Sequence, residues 1–107
     1  MTPEEKETIK GHMMSQLEYV MDPELGVDIV NLGLVYDVDV SDDGVALVTM
    51  TLTSMGCPSV GDIIAQLKVH LEVIPGVEKA EANIVWSPPW TKDKMSRYAK
   101  IALGVHE

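Results

Sequence analysis

VALVTMTLTSMGCPSVGDIIAQLKVHL, residues 45–71, changes its period partway along. The first part alternates: Ala46, Val48, Met50 and Leu52 fall on one side and Thr49, Thr51 and Thr53 on the other, as in a strand with one buried face. From Pro58 the apolar residues Val60, Ile63, Ile64, Leu67, Leu71 and Ile74 follow helical spacing until Pro75-Gly76 ends the run. A strand therefore passes into an amphipathic helix across a short segment that holds Gly56, Cys57 and Pro58.

Upstream, LVYDVDV (34–40) places Leu34, Tyr36, Val38 and Val40 on one face and Asp37 and Asp39 on the other, and SDDG turns the chain back. These two strands are expected to form an antiparallel hairpin. At the N-terminus Thr2 is placed to cap a helix with Pro3 at its first position and Glu4 and Glu5 facing the positive end of the dipole. Ile9, Met13, Leu17 and Val20 form its stripe, Gly11 is a mild flaw, and the helix is expected to end near Met21 because Asp22 precedes Pro23. DPELGVDIVNLG, with neither period, reads as a structured loop with a short turn around Asp28 to Asn31.

Downstream, VEKAEANIVW aligns Ala80, Ala82, Ile84 and Trp86 as a third strand, and SPPW breaks it. Thr91 is positioned to cap a last helix in which Met95, Tyr98, Ala99, Ala102 and Leu103 share a face before Gly104. The order helix-strand-strand-helix-strand-helix predicts an α/β (α+β) two-layer sandwich, a small mixed sheet covered by helices. With 107 residues and 46% hydrophobic content, one domain spanning 1–107 can bury its core without disulfides or metal.

Seventeen acidic against eight basic residues give a net charge of -9, which repels nucleic acid and anionic membrane surfaces and argues against both as partners. MTPEEKETIK is polar and acidic where a signal peptide is basic and then apolar, and no apolar run reaches the length of a membrane span; a cytoplasmic location is expected.

Cys57 is the one cysteine, so its thiol is either a buried hydrophobe, a reactive group, or a metal ligand completed from outside the chain. If Pro58 opens the helix, Cys57 is its N-cap, where unpaired N–H groups and the dipole favour a thiolate, and Gly56 allows a sharp bend and a close approach. Asp22, Glu24, Asp28 and Asp62 are the acidic neighbours to weigh as oxygen ligands, as acid and base, or as tuning groups. Asp22 also suits a turn and Asp62 an ordinary first helical turn, whereas Glu24 has no equally specific structural duty. His12, His70 and His106 fit no metal-binding spacing. Residues 56–61 have the glycine spacing of a P-loop but Asp62 and Ile63 where Lys and Ser/Thr belong, and 39–44 resembles the opening of an EF-hand loop without its glutamate; neither stands. Trp86 and Trp90 flank SPPW as large rings suited to a core edge or to a partner surface.

Taken together and in this order, DPELGVDIVNLGLVYDV, TMTLTSMGCP and VWSPPWTKDKMS resemble the SufT-type iron-sulfur cluster maturation family, long catalogued as a domain of unknown function. Relatives of that family include the PaaD proteins of phenylacetate catabolism and the eukaryotic cytosolic iron-sulfur targeting factors. The resemblance runs from about Leu17 to Gly104, and implies a non-enzymatic role in carrying or delivering clusters to apo iron-sulfur client proteins alongside cluster assembly proteins. It places the family's DPE signature on Asp22, Pro23 and Glu24, its strand-end pair on Thr53 and Ser54, and its cysteine on Cys57, around one cleft that Gly56 and Asp62 border. The cysteine-rich segment typical of PaaD proteins has no counterpart here, which favours the SufT-like branch.

An iron-sulfur cluster takes about four protein ligands, mostly thiolates, so Cys57 alone is an incomplete set. Two chains bringing their Cys57 residues together would supply two thiolates, with Glu24, a small thiol or a partner supplying the rest; the expected site is a labile Fe-S cluster bridging a homodimer. The contrasting expectation is a metal-free adaptor that binds apo-clients and assembly factors through Trp86, Trp90 and the 22–33 loop. A thiol enzyme with Cys57 as nucleophile lacks a convincing base.

Overall fold

Apolar periodicity places the elements in their predicted order in the computed structural model, which describes residues 1–53 and 60–105. They are α1 (Pro3–Leu17), β1 (Val35–Val40), β2 (Val45–Met50), α2 (Val60–Leu71), β3 (Lys79–Ile84) and α3 (Arg97–Ala102), with a 3-10 turn at Lys92–Lys94 before the last helix. The expected helix start at Pro58, together with Ser54, Gly56, Cys57 and His106, lies outside the described residues.

The N-terminus of α1 forms as its residues dictate. Thr2 Oγ1 accepts the Glu5 N–H at 3.1 Å while the Glu5 carboxylate accepts the Thr2 N–H at 3.4 Å, a reciprocal capping box. Ile9, Met13 and Leu17 are buried, but the helix stops at Leu17, short of the expected Met21. Val20 and Asp22 are already committed elsewhere: the Ile29 N–H donates to the Val20 carbonyl at 2.9 Å, and the Asp22 N–H to Val27 at 3.0 Å. Met21 and Asp28 thereby form an isolated antiparallel bridge.

The sheet order is β1-β2-β3, antiparallel between β1 and β2 and parallel between β2 and β3, with α2 as the crossover that a parallel pair requires. Central β2 buries Ala46, Val48 and Met50 completely against a core that includes Leu17, Ile63, Leu67 and Leu71. Two details depart from strict alternation. The register of β1 shifts between Val35, opposite Met50, and Asp37, opposite Thr49, so Tyr36 does not continue the face of Val38 and Val40. Its hydroxyl instead donates to the Pro88 carbonyl at 2.7 Å, in a loop whose Ser87-Pro88 peptide is cis. Thr51, expected on the polar side, is fully buried, and its hydroxyl has no hydrogen-bond partner among the described residues.

The C-terminal helix is shorter than expected and capped by a different residue. Thr91 precedes only the 3-10 turn and makes no side-chain cap, Met95 is extended, and Ser96 Oγ accepts the Ala99 N–H at 3.1 Å to open α3. Met95 and Ala99 are buried as the stripe predicts, whereas Tyr98 is 63% exposed, because six helical residues turn it away from the core. At the opposite end of the sheet Lys6 pairs with Asp42 at 3.0 Å, and this hydrogen-bonded ammonium holds the Asp42 carboxyl below its ordinary range. Lys79 does the same for Glu81 across 2.9 Å, its own pKa rising in return.

Candidate functional site

The loop between α1 and β1 is shaped from within by two aspartates. Asp22 is 2% exposed; its Oδ1 accepts the N–H groups of Glu24 at 2.8 Å and Leu25 at 3.0 Å, and its carbonyl accepts the Gly26 N–H at 2.8 Å. The Asp22-Pro23-Glu24 turn is thus closed by its own first residue, as aspartate commonly does in turns. Glu24 stands exposed on that turn. Further along, Asp28 is buried and binds Asn31 through both oxygens, Oδ2 to the backbone N–H at 2.9 Å and Oδ1 to Nδ2 at 2.7 Å. The expected turn from Asp28 to Asn31 is this pair.

Two other parts of the chain grip the loop from either end. On α2, Gln66 meets the backbone of Met21 twice: Oε1 accepts the Met21 N–H and Nε2 donates to the Met21 carbonyl, both at 3.0 Å. Asp62 Oδ2 accepts the same amide nitrogen at 3.0 Å, which orients the Gln66 side chain. At the far end Asn31 receives two bonds from Ser96, backbone N–H to carbonyl at 2.7 Å and Oγ to Oδ1 at 2.6 Å, while Trp90 Nε1 donates to the Leu32 carbonyl at 2.6 Å. Gly33, at φ +79°, lies so close to Lys94 that a Cβ there would overlap its carbonyl group.

The structure therefore brings Asp62 to the Asp22–Glu24 turn, with Gln66 as the connecting group. Sequence reasoning missed Gln66; the available signal was an amide one helical turn after Asp62, between the buried Ile63 and Leu67. Thr53 is half-buried just beyond β2, and Cys57, Ser54 and Gly56 lie outside the described residues. Among the described residues no three His, Cys, Asp or Glu side chains converge on one point that would hold a metal ion. His70 stacks on Tyr19 with ring centroids 6.1 Å apart, and His12 lines a shallow cleft with Val73 and Ile74, neither beside Asp62 in the contacts they make. Trp90 is half-buried at the core edge, and Trp86 is 43% exposed.

A chemically useful arrangement emerges even so. Through Gln66 and the Met21 backbone, the segment leading into the turn that carries Glu24 is fastened to the helix that follows Cys57 in the chain.

Comparison with known proteins points in one direction. A family model described as iron-sulfur cluster assembly protein matches residues 12–84. The Fe-S protein maturation auxiliary factor YitW of Bacillus subtilis is 61% identical over 94% of this chain and 98% of its own length. The Fe-S protein maturation auxiliary factor SufT of Staphylococcus aureus is 70% identical over 80% of this chain and 98% of its own. A crystal structure of a domain of unknown function from Bacillus anthracis superposes with a TM-score of 0.90 at 50% identity, covering 98% of this chain and 100% of that one.

Proposed function

This chain belongs to the iron-sulfur cluster assembly protein family, and from that premise we propose that it matures iron-sulfur proteins, carrying a cluster or helping deliver it to apo-proteins, with Cys57 as the thiolate that holds the cargo. It acts as one domain, without enzymatic turnover, in the cytoplasm. The observation that carries this reading is the family match over residues 12–84, and the two hydrogen bonds between Gln66 and Met21 add that the segment leading into the Asp22-Pro23-Glu24 turn is fastened to the helix that follows Cys57 in the chain.

The chemistry follows from an incomplete ligand set. A cluster prefers about four thiolates, and one chain offers a single one. Two chains offer two, and carboxylate oxygen such as that of Glu24, a small thiol, or the acceptor protein completes the shell. Carboxylate is a harder and weaker ligand than thiolate for these clusters, so an apo-client presenting several cysteines wins the exchange. Within this scheme Asp22 shapes the turn, Asp62 orients Gln66, and Thr53, Ser54 and Gly56 are the neighbours of Cys57 in sequence.

The test is anaerobic reconstitution with iron and sulfide, comparing parent and Cys57→Ser by absorbance, iron and sulfide content per chain, and size. Cluster loading on the parent with a shift toward dimer, lost in Cys57→Ser, is the expected result. If neither protein holds iron under conditions that load a known carrier, the cluster-carrying reading fails and the metal-free adaptor replaces it. Trp86 is then the residue to substitute first, since Trp90 is bonded to Leu32 and its loss would also disturb the fold.

A further inference from the structure

Half of the chain's basic residues occur within nine positions. Lys92, Lys94, Arg97 and Lys100 share that span with a single acid, Asp93, while the rest of the chain carries four basic against sixteen acidic side chains. In α3 the positions of Arg97, Ile101 and Tyr98 fall side by side around the helix, opposite the buried Ala99. Tyr98 is 63% and Ile101 71% exposed, and Lys92, Lys94 and Arg97 are exposed beside them in sequence. Two large apolar side chains held in water beside Arg97, in the most basic stretch of the chain, form the kind of surface that serves contact with a partner, and Tyr and Arg are enriched among residues that dominate binding.

This surface is mounted firmly. Ser96 is bonded twice to Asn31, the Lys94 backbone packs on Gly33, and the Lys94 ammonium sits 5.1 Å above the Tyr36 ring. A partner would thus lose little freedom on the side of this chain.

We infer that the Lys92–Ile101 surface docks an acidic protein segment that carries apolar side chains among its carboxylates. Charge complementarity selects the occupant. A short acidic segment stays within the basic island, where charges beyond a Debye length of about 8 Å are largely screened. Nucleic acid or an anionic membrane extends past it and meets the acidic remainder of the chain. The inference goes beyond the maturation reading and holds whether or not Cys57 binds a cluster.

The test is fluorescence anisotropy with a short labelled peptide rich in Asp, Glu and Leu, and a control peptide with Lys in place of the acids. The expected result is saturable binding of the acidic peptide alone, weakening as salt is raised. Lys92→Glu combined with Arg97→Glu should weaken it roughly tenfold or more. Tyr98→Ser with Ile101→Ser should weaken it too while leaving its salt dependence intact. All four positions are exposed, so the melting temperature should hardly move and folding is controlled. No binding, equal binding by parent and charge-reversed protein, or displacement of the peptide by a single-stranded oligonucleotide or anionic vesicles overturns the inference.

Discussion

Replacing Gly33 with alanine tests how tightly the C-terminal segment is seated, and Gly26 provides the internal control. Both glycines have left-handed φ, +70° at Gly26 and +79° at Gly33. Alanine at Gly26 meets nothing within 4 Å among the described residues, so it costs only the unfavourable backbone region, about 1 kcal/mol. At Gly33 the added Cβ overlaps the Lys94 carbonyl oxygen and stands 2.6 Å from its carbon and 2.8 Å from its Cβ. Carbon atoms separate to about 3.5 Å, so the Lys94 peptide must retreat by about 1 Å. That retreat strains the neighbouring bonds from Ser96 to Asn31 and from Trp90 to Leu32, each worth about 1 kcal/mol. The sum for Gly33→Ala is at least about 3 kcal/mol, a fall in melting temperature of about 12–24 °C against about 4–8 °C for Gly26→Ala. Thermal unfolding followed by circular dichroism measures both. If Gly33→Ala melts within a few degrees of Gly26→Ala, the close approach to Lys94 is not what seats this segment.

Gln66→Ala should cost about 1–2 kcal/mol through the two lost bonds to Met21. Gln66→Glu should be worse at neutral pH than in mild acid, because it sets a carboxylate against Asp62 and cannot donate to Met21; a Glu variant as stable as the parent at neutral pH would contradict the arrangement. Thr51→Val removes a buried hydroxyl without a partner among the described residues and should leave stability unchanged or raise it by about 1 kcal/mol in urea unfolding; a loss beyond that would mean the hydroxyl is satisfied. Asp42 and Glu81 have carboxyl pKa values lowered by Lys6 and Lys79, so their contributions to stability are present above the unfolded carboxylate range of about 4 and fade as pH falls through the folded values. Both pairs are exposed, and a carboxyl NMR titration should show the lowered values returning toward normal in high salt; persistence in high salt would argue against simple surface pairing.

The parts of this fold that can be read from sequence are those with a local cause. The stripe through Ile63, Leu67 and Leu71 and the alternation of Ala46, Val48 and Met50 follow from burying one face, and the Thr2 cap needs only Glu5 three residues on. Departures arise where a residue distant in the chain competes. Bonds from Ile29 to Val20 and Asp22 to Val27 draw the chain out of α1 before Met21. Tyr36 reaches Pro88 across 52 residues, and Ser96 displaces Thr91 as the cap because Asn31, 65 residues away, holds it. The site follows the same rule. Asp22 was recognisable as a turn residue because its partners are two and three positions away, whereas the bond of Gln66 to Met21 spans 45 residues and leaves no periodic trace.

The same loop underlies both of the proposed surfaces. Its N-terminal end presents the Asp22–Glu24 turn and is bonded to α2 by Gln66; its C-terminal end, through Asn31, Leu32 and Gly33, anchors Ser96, Trp90 and Lys94 below the basic surface. Asp28 connects the two ends, pairing with Met21 in the bridge and holding Asn31 through both carboxylate oxygens. A partner bound at Tyr98 and Ile101 would therefore be positioned relative to the Glu24 turn by a hydrogen-bonded path rather than by a free tether. For a carrier whose cargo leaves by ligand exchange, fixing the acceptor raises the effective concentration of its thiolates at the cargo. On the proposed reading it does so without tightening the carrier's own hold, for which each chain supplies one thiolate.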